Sequence, residues 1–416
     1  MKYEVHGGKK LFGKIEIDSA KNSLLPVIAA TIMCDEACKI KKVPKYLDVL
    51  EMCAILEKLG KSVKFDGDNL TISGEINNTS VIMAETKTLR SSIFMMGPIL
   101  SKYKKAIFTY PGGCDIGKRP IDIHLNCFKN MGVKFTFAGD LIYADANKMV
   151  GSEVSLSFPS VGATENIIMA STLLDGEITI IQNCAREPEI ADLARFINSM
   201  GGKVFGAGYE TIVVCGVKSL HSTEFKCISD RIAAGTFLIA GAICGGKIEI
   251  TNTDPNFLLP LINFLRNSGC KIDLFSDKIV LESSSRPKAI EKIETSTFPG
   301  FPTDLQSPLL AMQTISKGIS IVHETVFEAR FKVANELQKM GAKISVSERY
   351  ATVVGVSKLK PAKVTCPDLR GGAGLVLASL VCQGKTEIDE IFHIERGYYK
   401  FDEKLRSLGA NIKRIE

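Results

Sequence analysis

Four segments of this chain concentrate side chains able to bind anions or move protons. The stretch Pro111-Gly-Gly-Cys114-Asp115-Ile-Gly117-Lys118-Arg119-Pro120 sets a thiol in a glycine-rich loop beside two cations. Glycines let backbone approach a ligand, and neighbouring cations favour thiolate, so Cys114 reads as reactive rather than as an inert buried thiol. Asp18-Ser19-Ala20-Lys21-Asn22 opens an apolar run. A cation and an amide there can meet an anion alongside backbone N–H groups, or the segment is a helix cap with an exposed lysine. In Phe301-Pro302-Thr303-Asp304, just before another apolar run, Asp304 fits a helix cap and a general base equally well. Arg90, Arg330, Arg370 and Arg396 follow strand-like runs in successive parts of the chain. Singly, each reads as a surface ion pair contributing no more than about 1 kcal/mol. Gathered in one cleft, cations about 6 Å apart repel by about 3 kcal/mol per pair at an effective dielectric of about 20, and a small anion relieves that.

The elements that position these segments repeat. A helix-end signature recurs as AILEKLGKSVKF, NCFKNMGVKFTF, ARFINSMGGKVF, NFLRNSGCKIDLF, NELQKMGAKISV and EKLRSLGANIKRI, with glycines at Gly60, Gly132, Gly201, Gly269, Gly341 and Gly409. Their spacings of 72, 69, 68, 72 and 68 residues are too even for chance. An apolar helix stripe ending at glycine suits a left-handed C-cap, and the alternating residues beyond suit a strand. A second strand-like run follows the first five glycines, which predicts a hairpin. After Gly409 the sequence reaches Glu416 without that run, and residues 3–8 (YEVHGG) have the character to supply it. Each unit also carries a nearly all-apolar helix rich in small residues, such as RIAAGTFLIAGAIC and GGAGLVLASLVC. Such a helix must be buried, so the sheets face outward. The expectation is an α/β protein of two domains with three units each. One domain takes residues 1–20 and 230–416, the other residues 21–229 with the Cys114 loop, and the two crossings line a cleft.

Composition narrows the function. The chain has 416 residues, 45% hydrophobic and 24% charged, enough for two packed cores. A formal charge of +6 with no long basic run gives no sign of nucleic-acid binding. No apolar run approaches a membrane span and the first residues lack a signal-like apolar stretch, so a cytoplasmic location is expected, with neither membrane insertion nor export. Twelve cysteines spread from Cys34 to Cys382 read as reduced thiols. Cys34 and Cys38 lack a second Cys/His pair, which leaves a zinc site incomplete, and no metal is expected.

Taken together, these segments resemble the UDP-N-acetylglucosamine 1-carboxyvinyltransferases, members of the enolpyruvyl transferase family. The resemblance runs along the whole chain and is carried by AKN at 20–22, PGGC-x-IG-x-RP at 111–120, SVGATEN at 160–166, AREPEI at 185–190, DRI-x-x-GTF at 230–237, FPTD at 301–304, ETVFE-x-RF at 324–331, DLR at 368–370 and HI-x-RGY at 393–398. It implies an inside-out α/β barrel in each of two domains, with buried helices and outward-facing sheets. It also implies transfer of the enolpyruvyl group of phosphoenolpyruvate to the 3-hydroxyl of the UDP-sugar by addition and elimination. By the same resemblance, Lys21, Asn22, Arg119, Arg330, Arg370 and Arg396 bind phosphoenolpyruvate. Asn22, Arg90, Arg119, Pro120, Ile121, Asp122, Ile123, Asp304 and Val326 contact the UDP-sugar. Cys114 is the proton donor and a site of covalent adduct formation with phosphoenolpyruvate, Asp304 is the base, and Lys21 and Arg396 assist. No separate cofactor is implied, the partners are the two small substrates, and a monomer is compatible with the pattern. The chain departs from the family pattern at Ser19, Ala233, Ala329 and Phe158, which bears on substrate affinity. The related 3-phosphoshikimate 1-carboxyvinyltransferases share fold and donor, but the cysteine loop argues against that acceptor.

Overall fold

The computed structural model describes residues 1–82, 90–110 and 121–415, with backbone alone at Arg90 and Ser91. Among the described residues the strands form six four-stranded sheets, all with one strand order. The sheet built from Glu153–Ser155, Ile178–Gln182, Thr211–Cys215 and Val204–Phe205 shows the pattern. Its first two strands are parallel, joined through the buried helix Val161–Thr172. The amphipathic helix Pro188–Ser199 then leads into an antiparallel hairpin whose second strand inserts beside Ile178–Gln182.

The predicted glycine caps are present. Gly60, Gly132, Gly201, Gly269, Gly341 and Gly409 all have positive φ, between 88° and 115°. A left-handed residue ends the helix and turns the chain into the hairpin, and glycine carries no Cβ to oppose it. One period-3.6 stripe followed by one period-2 stripe is therefore enough to specify each unit.

The chain divides into two compact units, Met1–Asp18 with Ser229–Glu416, and the remainder within Ser19–Ile228. In the first, the apolar helices Arg231–Cys244, Gln306–Ile315 and Leu369–Ser379 pack on one another, and almost every residue of each is buried. Close approach is what the small residues provide. A Cβ on Gly374 would meet the Ser307 carbonyl oxygen at 2.9 Å. The sheets of this unit turn side chains such as Ile319, Ile321 and Tyr350 outward, while Val322, Ala351 and Val353 face the helices. In the second unit the helices Lys21–Ala30, Met96–Tyr103 and Val161–Thr172 take the interior role. There the amide of Gly97 donates to Asn166 Oδ1 at 2.8 Å.

Two features of the connectivity distinguish this chain from six units in a row. Strand Lys2–His6 lies antiparallel between Lys385–Asp389 and Asn411–Ile415, so residues from the N-terminus close the last sheet, as the sequence suggested. The first strand of two other sheets is also borrowed: Leu11–Glu16 pairs with Gly246–Thr251, and Glu224–Lys226 pairs with Cys38–Lys41, both in parallel. Leu11–Glu16 then runs on to the helix Lys21–Ala30, and Glu224–Lys226 to the helix Arg231–Cys244. No helix among the described residues is long and apolar enough to cross a membrane.

The glycine caps differ in what surrounds them, which gives a test. A Cβ on Gly269 has nothing within 4 Å, whereas one on Gly132 would lie 2.5 Å from the Lys148 carbonyl oxygen. Gly269→Ala is expected to destabilise by about 1–2 kcal/mol, the strain of a left-handed alanine alone. Gly132→Ala adds a backbone clash and is expected to cost more. Urea unfolding of the two variants checks the order, and equal losses would remove the steric part of the argument.

Candidate active site

Asp304 does not serve as the helix cap that its sequence position allowed. It lies in the 3-10 turn Thr303–Leu305 ahead of the helix Gln306–Ile315, and neither of those segments has a side-chain cap. Its carboxylate is instead shared by two guanidinium groups. Arg330 Nη2 bonds Oδ1, and Arg370 Nη2 donates to Oδ2 at 2.9 Å. The two arginine side chains are only 4% and 2% exposed, against 25% for Asp304. Arg330 also stands over the Phe327 ring at 5.3 Å, and Arg370 over the Tyr398 ring at 5.2 Å.

The electrostatics of this trio point to an anion. Two buried cations and one carboxylate sum to a single positive charge. Arg330 Nε, Arg370 Nε and Arg370 Nη1 are buried without a hydrogen-bond acceptor among the described residues. Buried donors are normally satisfied, and a planar guanidinium is shaped for the paired oxygens of carboxylate or phosphate. Burial acts to pull the Arg370 pKa down, but the charge of Asp304, with Tyr398 and Asp230, outweighs it and holds the pKa above the ordinary arginine value. Arg370 is thus a permanent cation.

Local structure explains how the arginines reach their places. Arg370 is the second residue of its buried helix, whose N-cap Asp368 accepts from the amides of Arg370 and Gly371 at 2.9 and 3.0 Å. Asp230 caps Arg231–Cys244 in the same way, and Arg231 follows it with its guanidinium 5.6 Å from the Phe298 ring centre. A cation in the first turn of a helix opposes the macrodipole, so stability alone does not select it. Arg330 and Arg396 instead occupy the connection that leads from an inner strand to an amphipathic helix. The four arginines singled out in the sequence therefore fall at two different places in the repeat, not one. Arg396 is half-buried at the end of the short helix Phe392–Glu395. Burial first, and then the Arg396 charge, hold the His393 pKa below the usual histidine value.

In the other unit Lys21 is the first residue of its helix, and the preceding Ala20 offers no side-chain cap. The exposed-lysine alternative does not hold. Its side chain is 12% exposed and Nζ lies 3.2 Å from Oδ2 of the buried Asp48. Asp18 binds Lys404 instead of capping. Asn22 is half-buried beside it, and the next residue, Ser23, bonds the buried Asp192, which also accepts from Ile228 N at 2.9 Å. Asp122 is exposed at the start of the helix Asp122–Asn130, Ile123 is half-buried and Ile121 fully buried. Val326 is half-buried in the loop before Arg330. Cys114, Arg119 and Pro120 lie outside the described residues, as does the side chain of Arg90. At the departures from the family pattern, Ser19 is buried and donates to Lys42 O at 2.8 Å, Ala233 sits in the capped first turn after Asp230, and Phe158 is exposed. The described cysteines are unpaired thiols.

The family described as EPSP synthase (3-phosphoshikimate 1-carboxyvinyltransferase) matches residues 5–405. UDP-N-acetylglucosamine 1-carboxyvinyltransferase 2 of Caldanaerobacter subterraneus subsp. tengcongensis is 45% identical, with 100% of this chain and 99% of the relative covered. The enzyme of that name from Clostridium tetani is 42% identical over 99% of both chains. Among solved structures, the enolpyruvyl transferase NikO from Streptomyces tendae superposes with a TM-score of 0.87 at 23% identity, covering 99% of this chain and 98% of that one. EPSP synthase from Acinetobacter baumannii gives 0.75 at 17%, over 99% of both. These two likenesses speak to fold.

One buried acid in the SVGATEN segment has no hydrogen-bond partner among the described residues. Both carboxyl oxygens of Glu165 are buried and unbonded among the described residues, and desolvation, then the charges of Glu189 and Glu187, push its pKa well above the ordinary glutamate value. The unfolded chain ionises this group above about pH 4.3 while the folded one holds its proton, so its effect is to lower stability as pH rises. Glu165→Gln removes the titration. Its melting temperature is expected to match the parent near pH 4.5 and to exceed it by a margin that widens toward pH 8; a margin that does not change with pH would refute the buried neutral acid.

Proposed function

The chain belongs to the UDP-N-acetylglucosamine 1-carboxyvinyltransferases, within the wider EPSP synthase family, and from that premise we propose how its residues divide the chemistry. The enzyme transfers the enolpyruvyl group of phosphoenolpyruvate to the 3-hydroxyl of UDP-N-acetylglucosamine and releases phosphate, the first committed step of peptidoglycan synthesis. The sugar oxygen adds to C2 of phosphoenolpyruvate while C3 takes a proton. Loss of phosphate from C2 and of a proton from C3 then restores the double bond. No electron is gained or lost overall, so the steps ask for an acid, a base and stabilisation of negative charge, with no redox cofactor.

In our reading Asp304 takes the proton of the 3-hydroxyl. A carboxylate has about four acceptor sites. The Asp304 side chain is 25% exposed beside the two guanidinium groups, and that open face is where a substrate hydroxyl would approach. Cys114 gives the proton to C3, and its position between glycines and beside Lys118 and Arg119 is what recommends it. Covalent capture of phosphoenolpyruvate by the same thiol belongs to this proposal. Arg330 and Arg370 hold the donor's carboxylate or phosphate through the donors that Asp304 does not use, and Lys21, Asn22, Arg119 and Arg396 complete the anion-binding set. Preorganised cations act most strongly where water is excluded, because the charge that develops on the leaving group meets dipoles already in place. Arg90, Ile121, Asp122, Ile123 and Val326, with Pro120, are assigned to the UDP-sugar. Both substrates are multiply charged phosphates, which suits a reaction in the cytoplasm.

The observation that carries this reading is the buried Arg330–Asp304–Arg370 trio, a base candidate set among cations with spare donors. Phosphate is expected to appear only when phosphoenolpyruvate and UDP-N-acetylglucosamine are both supplied, and not with shikimate 3-phosphate as acceptor. Cys114→Ser is expected to lower turnover by about 100-fold or more, the usual contribution of a placed acid, with UDP-sugar affinity by calorimetry nearly unchanged. Unchanged turnover would take the thiol out of the mechanism, and no phosphate from either acceptor would favour a sugar-binding module without catalysis.

A further inference from the structure

Outside the charged trio, one buried carboxylate organises more of the site than any other described residue. Glu324 has 0% exposure and sits at the start of the loop that ends in Arg330. Its Oε1 accepts from Thr295 Oγ1 at 2.9 Å, from the amide of Val326 at 2.8 Å and from that of Phe327 at 3.1 Å. Its Oε2 accepts from Thr303 Oγ1 at 2.9 Å. Three donors on one oxygen and one on the other give both carboxylate oxygens partners, which is what allows the group to be buried.

The placement of those donors matters more than their number. Thr303 is the residue immediately before Asp304. Val326 and Phe327 belong to the loop that delivers Arg330, and Phe327 carries the ring beneath its guanidinium. Thr295 is pinned as well: its hydroxyl also accepts from Thr325 N at 2.9 Å, and its carbonyl accepts from the Thr325 hydroxyl at 2.6 Å. From the hairpin side, Arg349 Nη1 donates to the carbonyl oxygens of Glu324 and Thr325 at 3.3 and 3.0 Å. One side chain therefore ties the backbone on both sides of the Asp304–Arg330 ion pair.

We propose that Glu324 is a positioning residue for the transfer reaction: through Thr303 and the amides of Val326 and Phe327 it fixes Asp304 and Arg330 at the spacing the reaction needs, and it touches neither substrate. The inference rests on the reading that Asp304 and Arg330 belong to the reacting site. The carboxylate presents one acceptor oxygen to Thr295 and the two loop amides and the other to the Thr303 hydroxyl, so removing the side chain releases both segments at once. Displacing a base by about 1 Å is enough to cost about 100-fold in rate.

The test uses the full chain and steady-state release of phosphate with both substrates. Glu324→Ala and Thr303→Val are each expected to lower kcat by about 10- to 100-fold while the KM of either substrate changes little. The double variant should lose little more than the worse single one, since both remove the same tether. Thr303→Val leaves one oxygen of the buried Glu324 carboxylate without its donor and is expected to melt below the parent, whereas Thr303→Ser keeps the donor and is expected to restore both melting temperature and kcat, so this pair carries the test even where Glu324→Ala folds poorly. Native kcat in Thr303→Val, or losses that multiply in the double variant, would overturn the proposal. Asp304→Asn serves as the reference. If it is inactive while Thr303→Val and Glu324→Ala turn over normally, the tether idea fails and the site reading stands; if Asp304→Asn is itself fully active, both fall.

Discussion

Two guanidinium groups taken out of water and made to share one carboxylate are the constraint around which this molecule is arranged. Arg330 and Arg370 come from separate stretches of the chain and converge on the two oxygens of Asp304. Without that carboxylate the two charges would repel, and removing one member of a buried ion pair commonly costs about 3–5 kcal/mol because the other is left uncompensated. The trio is therefore weak evidence for stability and better evidence for work. It holds positive charge and unused donors in a place where folding alone would prefer hydrocarbon.

The fold supplies rigidity to that arrangement. Arg370 is fixed by a helix whose Asp368 cap binds the arginine's own amide, and the helix is buried along its length among two others. Arg330 is delivered by a loop, but one in which Glu324, Thr295, Thr325 and Arg349 satisfy its backbone and one another. A loop so bonded behaves as part of the scaffold. Lys21 follows the same logic in the other unit, with Asp48 beside it and the same first turn of its helix tied to Asp192 through Ser23.

How much of this could be read beforehand divides along physical lines. The units were legible because their signals are local: one glycine in a left-handed conformation, one apolar stripe, one alternating run, repeated six times. The buried helices were legible because a helix without a polar face has nowhere else to go. The identity of the chemically active residues came from motif resemblance, and their partners did not come at all. Nothing in YLDVL marks Asp48 as the neighbour of Lys21, and in ETVFEAR the glutamate that organises the loop looks like any strand-end acid. The arginines appeared equivalent by sequence position, yet Arg370 starts a buried helix and Arg330 ends a loop, since spacing along a chain does not report which connection it falls in. That Asp304 meets two arginines and is no cap emerged only when its oxygens could be followed to their donors.

The strand Lys2–His6 has a consequence for biogenesis. It occupies an inner position in a sheet whose other strands are Lys363–Thr365, Lys385–Asp389 and Asn411–Ile415. As the ribosome extends the chain, the strand Lys2–His6 waits for partners made about 380 or more residues later, while residues 19–228 have all their sheet partners within reach much earlier. Until the final hairpin emerges, an amino-terminal β-segment with Tyr3 and Val5 on its inward face stays unpaired in the cell, and shielding it falls to whatever chaperones meet the nascent polypeptide.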